Sequence, residues 1–314
     1  MTQNHLFCFG YGYCCDYLGY DLLSNHRNKW RISGTTQDAE KAAQMKYFDI
    51  KPYIFDDQTP LTDPQLFLKD TTHLILSTPP DDDGDVAFNA YADDILAVRG
   101  NLKWIGYLSS TGVYGDRDGE LVDETSETIP NSQRGSRRRR AEKQWLDLAA
   151  DYDLPLHVFR LSGIYGPGRS ALDSVRAGYA RRIEKPGHAF SRIHVDDIVQ
   201  VIMASMENPN PGSIYNLSDD EAAPSHEVIA YACELLGIDP PPIIPFDEAD
   251  MSPMARSFYQ DNKRVHNGKI KEELGIRLKC PNYKIGLQNC LEAEAEHEKR
   301  RAENDPNAYV PISG

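Results

Sequence analysis

Short apolar segments alternate with helix-length amphipathic segments through the first half of the chain. The apolar segments predict strands at Leu6–Phe9, Arg31–Thr35, His73–Ser77, Trp104–Ser109 and Leu156–Arg160. The segments between them predict helices that begin near Tyr13, Asp38, Asp85 and Ser136. Strands that alternate with helices form a parallel sheet with right-handed crossovers. The pattern therefore predicts an α/β fold with a doubly wound parallel sheet, which binds ligands at the carboxyl ends of its strands.

The second half of the chain has a less regular pattern. It predicts helices at Asp196–Met206 and Ser225–Leu236, and a strand at Ser213–Leu217 that returns to the sheet. His194, just before the first of these helices, is expected to cap it. The proline-rich run 239–245 cannot be helical and predicts a rigid surface connection. A long helix is expected after residue 282, and residues 293–314 are almost wholly polar, as in a solvated chain end.

Composition and charge narrow the range of functions. The 314 residues, 40% of them hydrophobic, suit a globular protein with a sizeable core. The net charge of −14 argues against partners such as nucleic acids and acidic membranes. No apolar run approaches the roughly 18 residues that a membrane span needs. We also expect no signal peptide, so the six irregularly spaced cysteines predict reduced thiols in the cytoplasm and no metal site.

A glycine-rich turn lies between the first predicted strand and the first predicted helix. The run Gly10–Cys15 reads G-Y-G-Y-C-C where the dinucleotide-binding fingerprint reads G-x-G-x-x-G. Gly10 would permit the tight turn, and Gly12 would let the backbone approach a pyrophosphate at the helix N-terminus. The third glycine relieves helix–strand packing, a requirement that the small Cys15 can also meet. The alternative is a tight turn in an α/β protein that binds no ligand there.

The end of the second predicted strand bears on the choice of cofactor. An acidic residue about 20 positions after the glycine turn typically binds the adenosine ribose and favours NAD. Here the strand ends in Thr35-Thr36-Gln37, and Asp38 is better placed to open the next helix. The three polar side chains could hydrogen-bond a 2′-phosphate, and Lys41 lies one turn further along. The sequence therefore favours NADP over NAD, but only weakly, because no arginine occupies the tip.

Five further motifs follow in a recognisable order. Ser77–Pro80 ends a strand beside the expected cofactor groove, and Tyr107–Asp116 resembles an S-S-x-x-V-Y-G signature. Arg160–Arg169 resembles a strand and turn that pack under a nicotinamide, Arg192–Ile198 an (H)VxD helix start, and Ile214–Leu217 a late strand. From residue 6 to about 236, the chain thus resembles the extended, NAD(P)-dependent epimerase/dehydratase branch of the short-chain dehydrogenase/reductases.

The resemblance implies a Rossmann fold with a smaller C-terminal α/β substrate lobe. Residues 1–170 would form the dinucleotide-binding domain with 191–217 returning to it, and 171–190 and 218–292 would form the lobe. It also implies that the Ser110 hydroxyl, with Thr111 beside it, orients the substrate as the catalytic hydroxyl. Alternatively, these hydroxyls cap the strand end and bond the local backbone. The implied cofactor-binding residues are Gly10, Tyr11, Gly12, Tyr13, Cys14, Cys15, Thr35, Thr36, Gln37, Ser77, Thr78, Pro79, Pro80, Ser109, Arg138 and Gly163.

Arginines take the places of the family's catalytic Tyr and Lys. When the Y-x-x-x-K helix is matched through Ala141-Glu142, Arg134 falls at the Tyr position and Arg138 at the Lys position. A guanidinium stays protonated at physiological pH, so Arg134 cannot exchange a proton with a substrate. Arg138 could still bind a ribose or a phosphate. Tyr114 and Tyr165 could replace the lost acid/base, but packing with a hydrogen bond is the expected role of each.

The chain therefore resembles the atypical members of this superfamily, whose substrates are generally unassigned. The leading hypothesis is an NAD(P)-dependent oxidoreductase or epimerase of an unidentified small molecule, which could resemble a sugar nucleotide. It would act through Ser110 and through a proton donor that lies elsewhere than the family's Tyr. One alternative is a non-catalytic NADP-binding regulator or redox sensor. Another is an interaction protein on a Rossmann scaffold without a ligand. A homodimer is compatible with the resemblance, by analogy alone.

Overall fold

A computed structural model of the chain describes residues 3–55 and 61–302. Its strands are β1 Asn4–Phe9, β2 Trp30–Thr36, β3 Lys51–Ile54, β4 His73–Leu76, β5 Trp104–Ser110, β6 Leu121–Val122, β7 Leu156–Leu161, β8 Gly163–Tyr165, β9 Arg182–Glu184, β10 Arg192–His194, β11 Ile214–Leu217, β12 Ile243–Pro245 and β13 Arg264–Val265. Its α-helices are α1 Tyr13–His26, α2 Ala39–Tyr47, α3 Pro64–Leu68, α4 Val86–Ala97, α5 Gln133–Tyr152, α6 Ala171–Arg176, α7 Val195–Glu207, α8 Ser225–Leu236, α9 Pro253–Phe258, α10 Gly268–Leu274 and α11 Tyr283–Ala302.

Seven of the strands form one sheet in the order β3-β2-β1-β4-β5-β7-β11. All neighbouring pairs in it are parallel. The chain leaves β1 towards β2 and β3 and then returns to the other side of β1 with β4. In open α/β sheets, ligands bind at such a reversal, outside the carboxyl ends of the strands. The predicted doubly wound α/β fold is confirmed, and the reversal lies directly at the glycine turn after β1.

The two faces of the sheet bury two separate apolar cores. Along β1, Leu6 and Cys8 pack into the core that contains α1, whereas Phe7 and Phe9 pack into the core that contains α4 and α5. This alternation is the two-residue period of a strand, and apolar residues on both sides are typical of parallel sheets covered by helices. The continuous apolar run of β1 therefore positions the glycine turn that follows it from both faces.

Most of the predicted elements agree with the observed ones to within one or two residues. The strand β3 was missed because it is short, contains Pro52 and is largely exposed, so it lacks the apolar run of the other strands. The helix α5 begins at Gln133 rather than near Ser136, because the Ser132 side chain accepts a hydrogen bond from the Gly135 N–H and caps the helix there.

The C-terminal part builds smaller cores of its own. One joins α6, α8 and α11 through residues such as Leu172, Val228 and Leu287, and another surrounds Ile183 and Tyr259. The run 239–245 is not helical but ends in the short strand β12, which pairs with β9. The helix α11 continues to Ala302 through part of the polar end, and residues 303–314 lie outside the described part of the chain. The division of the chain into two domains stays a prediction.

Two further observations concern membrane-spanning helices and the cysteines. Among the described helices, none is long and apolar enough to cross a bilayer. All six cysteines are buried free thiols, at positions 8, 14, 15, 233, 280 and 290.

Candidate functional site

The first glycine of the turn has a backbone conformation and a close contact that other residues would not tolerate. Gly10 has a φ of +81°, and a Cβ there would lie 3.0 Å from the backbone of Ser77 and Thr78 at the end of β4. The Gly10 N–H donates to the Thr35 hydroxyl at 2.8 Å, which ties the turn to the end of β2. Only glycine tolerates both the left-handed backbone and the close approach to β4. The turn therefore packs closely against the ends of β2 and β4.

The second glycine faces open space. Gly12 caps α1 at its N-terminus, and a Cβ on it would meet no atom within 4 Å. The third position is closed, since Cys15 is 1% exposed and its thiol donates to the Gly10 carbonyl at 3.6 Å. This geometry fits a pyrophosphate, because the helix N-terminus presents unpaired N–H groups to a space that no side chain fills.

The remaining predicted residues of the turn have structural contacts. Tyr11 is buried behind the turn, with its hydroxyl against Gly19, and its N–H donates to the Thr35 carbonyl at 2.7 Å. The Tyr13 hydroxyl donates to the Pro167 carbonyl at 3.0 Å. Sequence reasoning grouped all six turn residues as cofactor-binding, whereas in the structure Gly12 borders open space, Cys14 lines a cleft and Tyr11 is buried.

At the tip of β2, the polar residues divide into buried and exposed ones. Thr35 is buried beneath the glycine turn, while Thr36 is half-buried and Gln37 is exposed. The Asp38 carboxylate accepts from the Glu40 N–H at 2.7 Å and so caps α2, as the sequence predicts. Thr36 and Gln37 are the side chains that remain at the tip for a ribose or its phosphate.

Lys41 is drawn away from that tip. Its ammonium forms an ion pair with Asp16, which is buried in α1. Because a buried carboxylate needs a compensating charge, we expect this pairing to be kept and Lys41 not to serve a 2′-phosphate.

A cleft of about 1500 Å³ extends from the carboxyl ends of β4 and β5 to α9 and its neighbours in the C-terminal part of the chain, here called the lobe. It brings together nine of the residues that the sequence assigned to catalysis or cofactor binding. They are Cys14, Ser77, Pro79, Pro80, Ser109, Ser110, Thr111, Arg138 and Gly163. The lobe contributes apolar and aromatic side chains to the opposite wall, among them Met254 and Phe258 of α9.

The cleft is strongly cationic, although the whole chain carries a net charge of −14. One carboxylate, Asp261, lines it against seven basic side chains. These are Arg134, Arg137, Arg138, Arg169, Arg181, Arg192 and Lys263. A concave surface lined by one sign of charge raises the local concentration of ligands of the other sign. The cleft therefore suits anionic ligands.

Ser110 and Thr111 lie at the end of β5 but differ in how far their hydroxyls are engaged. The Ser110 hydroxyl accepts from the Gly112 N–H at 3.1 Å, which leaves its own O–H available as a donor. Thr111 is buried, and its hydroxyl donates to the Leu161 carbonyl at 3.4 Å. Local capping, the alternative for these hydroxyls, is thus present for Ser110, whereas Thr111 bonds the backbone of the neighbouring strand β7. Ser110 keeps a donor beside the cleft.

Arg134 and Arg138, which the sequence resemblance matches to the family's catalytic Tyr and Lys, both line the cleft. Arg134 lies in the first turn of α5, with its guanidinium 4.1 Å from the centroid of the Phe258 ring. One turn further, Arg138 donates to the Leu108 carbonyl at 3.0 Å and to the Tyr107 hydroxyl at 3.1 Å. Arg138 is therefore fixed to the end of β5, whereas Arg134 reaches towards the lobe.

Behind the cleft lies a buried polar network that the sequence analysis did not identify. The Ser109 hydroxyl donates to the Glu142 carboxylate at 2.7 Å, and Arg160 forms a buried ion pair with the same carboxylate. Arg160 also donates to the Tyr114 hydroxyl at 2.9 Å, which donates to the Asn216 amide oxygen at 2.7 Å. The one sequence signal for it is an arginine at the end of an otherwise apolar strand.

Tyr114 and Tyr165, the alternative proton donors considered from sequence, are buried and engaged, and so is His194, the predicted helix cap. Burial raises the pKa of Tyr114 and that of Tyr165, whose hydroxyl donates to the Asn282 carbonyl at 3.4 Å. Burial lowers the pKa of His194 to about 4, and its Nδ1 accepts from the Asp196 N–H at 3.2 Å. Packing with a hydrogen bond, and helix capping for His194, are the roles that these contacts support.

Comparison with known proteins gives a consistent family match. A model of the NAD dependent epimerase/dehydratase family matches residues 95–218. Protein YeeZ of Escherichia coli strain K12 is 30% identical over 247 residues, and the match covers 72% of this chain and 82% of YeeZ.

Solved structures show the same fold. A functionally unknown conserved protein from Silicibacter pomeroyi is 47% identical, has a TM-score of 0.85 and matches over 92% of this chain and 99% of its own. The dTDP-glucose 4,6-dehydratase of Bacillus anthracis, in complex with NAD, is 17% identical with a TM-score of 0.75, over 95% of this chain and 98% of its own. At this identity the second likeness establishes the fold alone.

Proposed function

Because this chain belongs to the NAD-dependent epimerase/dehydratase family, we propose that it is an oxidoreductase or epimerase of an anionic small molecule. In this proposal the nicotinamide dinucleotide lies along the carboxyl ends of the sheet, with its diphosphate at Gly12 and its nicotinamide near Ser110. The substrate occupies the cationic cleft. A sugar-nucleotide-like molecule suits this charge, and the dehydratase from Bacillus anthracis takes a nucleotide sugar, as its name states.

One observation carries the proposal. The open space at Gly12 lies at the reversal of strand order, and Cys14 and Ser77 beside it line the same cleft as Ser110. A dinucleotide and a substrate can therefore meet in one continuous space. A tight turn without a ligand would not require this space to stay open.

In this proposal the cofactor and the residues of the cleft have separate roles. The bound dinucleotide would supply or accept the hydride. The Ser110 O–H donates a hydrogen bond to the reacting oxygen of the substrate, and Arg138 holds a positive charge at the end of β5 for a ribose or phosphate. Arg134 binds an anionic part of the substrate and exchanges no proton, because its guanidinium stays protonated. This arrangement supports substrate binding without the usual Tyr/Lys pair.

We expect NADPH to bind about tenfold more tightly than NADH, the effect of one hydrogen bond to a charged group. Thr36 and Gln37 supply the donors for the 2′-phosphate, and the carboxylate that follows them, Asp38, is engaged in capping α2. Fluorescence titration with both reduced cofactors measures the ratio. The double variant Thr36→Val, Gln37→Leu should lose the preference but not the binding. Tighter binding of NADH would overturn the choice of cofactor.

Replacement of Ser110 by alanine should lower kcat about 100-fold, as loss of a donor to a developing oxyanion does. NADPH affinity should stay unchanged, because the hydroxyl faces the reacting oxygen. Oxidation of NADPH with a panel of anionic carbonyl compounds, nucleotide sugars included, gives the rates. Thr111→Val should cost far less, because that hydroxyl is already engaged with Leu161.

A different outcome of the same assay would favour a different function. Tight NADPH binding by the wild-type protein without turnover across the panel would support a non-catalytic NADP-binding regulator or redox sensor. The arginine at the family's acid/base position is the observation that favours this second candidate.

A further inference from the structure

The turn 166–169 packs directly onto the first turn of α1. The Pro167 carbonyl accepts hydrogen bonds from the hydroxyls of Tyr13, at 3.0 Å, and Tyr17, at 3.4 Å. A Cβ on Gly166 would clash with the Tyr13 hydroxyl, so this approach requires glycine. A segment more than 150 residues away in sequence is thereby held against the helix end at which the cofactor diphosphate would lie.

This turn fixes the backbone of Arg169. Backbone hydrogen bonds of 3.3 and 3.0 Å join Gly166 and Arg169 in both directions, and Gly168 between them has a φ of +73°. The guanidinium carbon lies 5.5 Å from the centroid of the Tyr13 ring. Burial raises the pKa of Cys14 to about 12, and the Arg169 charge opposes that rise. The charge therefore acts on the first turn of α1.

Apart from its packing over the Tyr13 ring, the guanidinium of Arg169 has no partner in the part of the chain that the structure describes. Within residues 3–55 and 61–302, no carboxylate forms an ion pair with it and no acceptor takes a hydrogen bond from it. Arg137, which also lines the cleft, is by contrast held by two hydrogen bonds of 2.6 Å to Asp82. Arg169 lines both the cleft and an adjoining cavity of about 230 Å³.

The glycine turn itself contains no side-chain cation. The run Gly10–Cys15 offers backbone N–H groups and a helix dipole to a diphosphate that carries two negative charges. Arginine binds phosphate oxygens through two parallel hydrogen bonds and keeps its charge at any physiological pH. The second half of the chain supplies an arginine, Arg169, whose guanidinium lies 5.5 Å from the Tyr13 ring centroid at this helix end.

We propose that Arg169 binds the diphosphate of the nicotinamide cofactor, on the side opposite the N-terminus of α1. The inference rests on the proposed function and assigns a residue to the cofactor site that the glycine turn does not include. Because Arg169 lies at the start of the segment leading into α6, cofactor binding would also tie the C-terminal lobe to the sheet.

The test compares Arg169→Gln with the matched variant Arg176→Gln. Arg176 is the last residue of α6, the helix that follows Arg169. It pairs with Glu294 at 2.7 Å and does not line the cleft. Arg169→Gln should weaken NADPH and ADP-ribose alike by about tenfold or more, whereas Arg176→Gln should weaken neither. Arg169→Lys should recover part of the loss, since it restores the charge without the bidentate geometry. The fall of affinity with added NaCl should be shallower in Arg169→Gln than in the wild type.

The outcomes separate this inference from the proposed function. Wild-type binding of NADPH together with unchanged affinity in Arg169→Gln would overturn the role of Arg169 and leave the proposed function standing. A wild-type protein that binds neither NADPH nor NADH would overturn both. A melting temperature that drops in Arg169→Gln, with an unaltered salt dependence of binding, would assign the residue to folding and also overturn the inference.

Discussion

Replacement of Gly12 by valine is expected to abolish cofactor binding while the protein keeps its fold. A Cβ at this position meets no protein atom within 4 Å, so the variant is expected to be accommodated and to melt close to the wild type. It fills the space through which a diphosphate must approach the N–H groups of α1. Loss of two such charge-assisted hydrogen bonds corresponds to about 100-fold or more in affinity. Fluorescence titration with NADPH measures the effect.

The matched control is the neighbouring glycine of the same turn. Gly10→Ala forces a side chain onto a backbone with a φ of +81° and to 3.0 Å from the Ser77 and Thr78 backbone. Strain of this kind costs about 1–3 kcal/mol, so this variant should melt earlier than the wild type. Gly12→Val should therefore lose binding without losing stability, and Gly10→Ala should lose stability. Wild-type affinity in Gly12→Val would contradict a diphosphate site at the helix end.

The largest loss of stability is expected for Glu142→Ala. This change leaves the Arg160 guanidinium buried without its counter-charge and removes the acceptor of the Ser109 hydroxyl. Breaking a buried ion pair from one side costs about 3–5 kcal/mol, because a buried charge remains uncompensated. The melting temperature should fall by about 5–8 °C for a chain of this size. Thermal unfolding followed by circular dichroism measures it.

Two companion variants make this result specific to the buried charge. Lys143→Ala, on the next residue of α5, removes the exposed pair with Asp147 and should leave the melting temperature essentially unchanged. The double variant Glu142→Leu, Arg160→Met removes both charges and should recover most of the loss. Equal melting temperatures of Glu142→Ala and the wild type would mean that the network contributes little.

The predicted stability effect also bears on the site. Ser109 precedes Ser110 at the end of β5, and its hydrogen bond to Glu142 fixes this strand end against α5. Sequence reasoning placed Ser109 among the cofactor-binding residues, whereas its hydroxyl is engaged behind the cleft. Ser109 therefore borders the cleft, but its hydroxyl hydrogen-bonds Glu142 in the buried network behind it.

Local signals account for the parts of the site that could be predicted. The apolar run of β1, the glycines after it and the apolar face of α1 are contiguous in sequence, so their pattern predicts strand, turn and helix together. The same holds for the hydroxyl strand end at Ser110 and for Asp38, whose capping role follows from its place before α2. Strand β3 lacked such a signal, because neither its composition nor its burial differs from that of a loop.

By itself, the sequence determined the α/β class, the order of the elements and the family, because periodicity, turn chemistry and motif order depend on neighbouring residues. Only the tertiary structure decided which charges meet. Glu142 and Arg160 pair across a helix and a strand, and Lys41 is taken by Asp16 rather than left at the tip of β2. Likewise, Arg169 reaches the glycine turn from the other half of the chain. Such contacts depend on how the sheet brings distant segments to one edge. The open space at Gly12, which the glycine pattern only suggested, is part of that same edge.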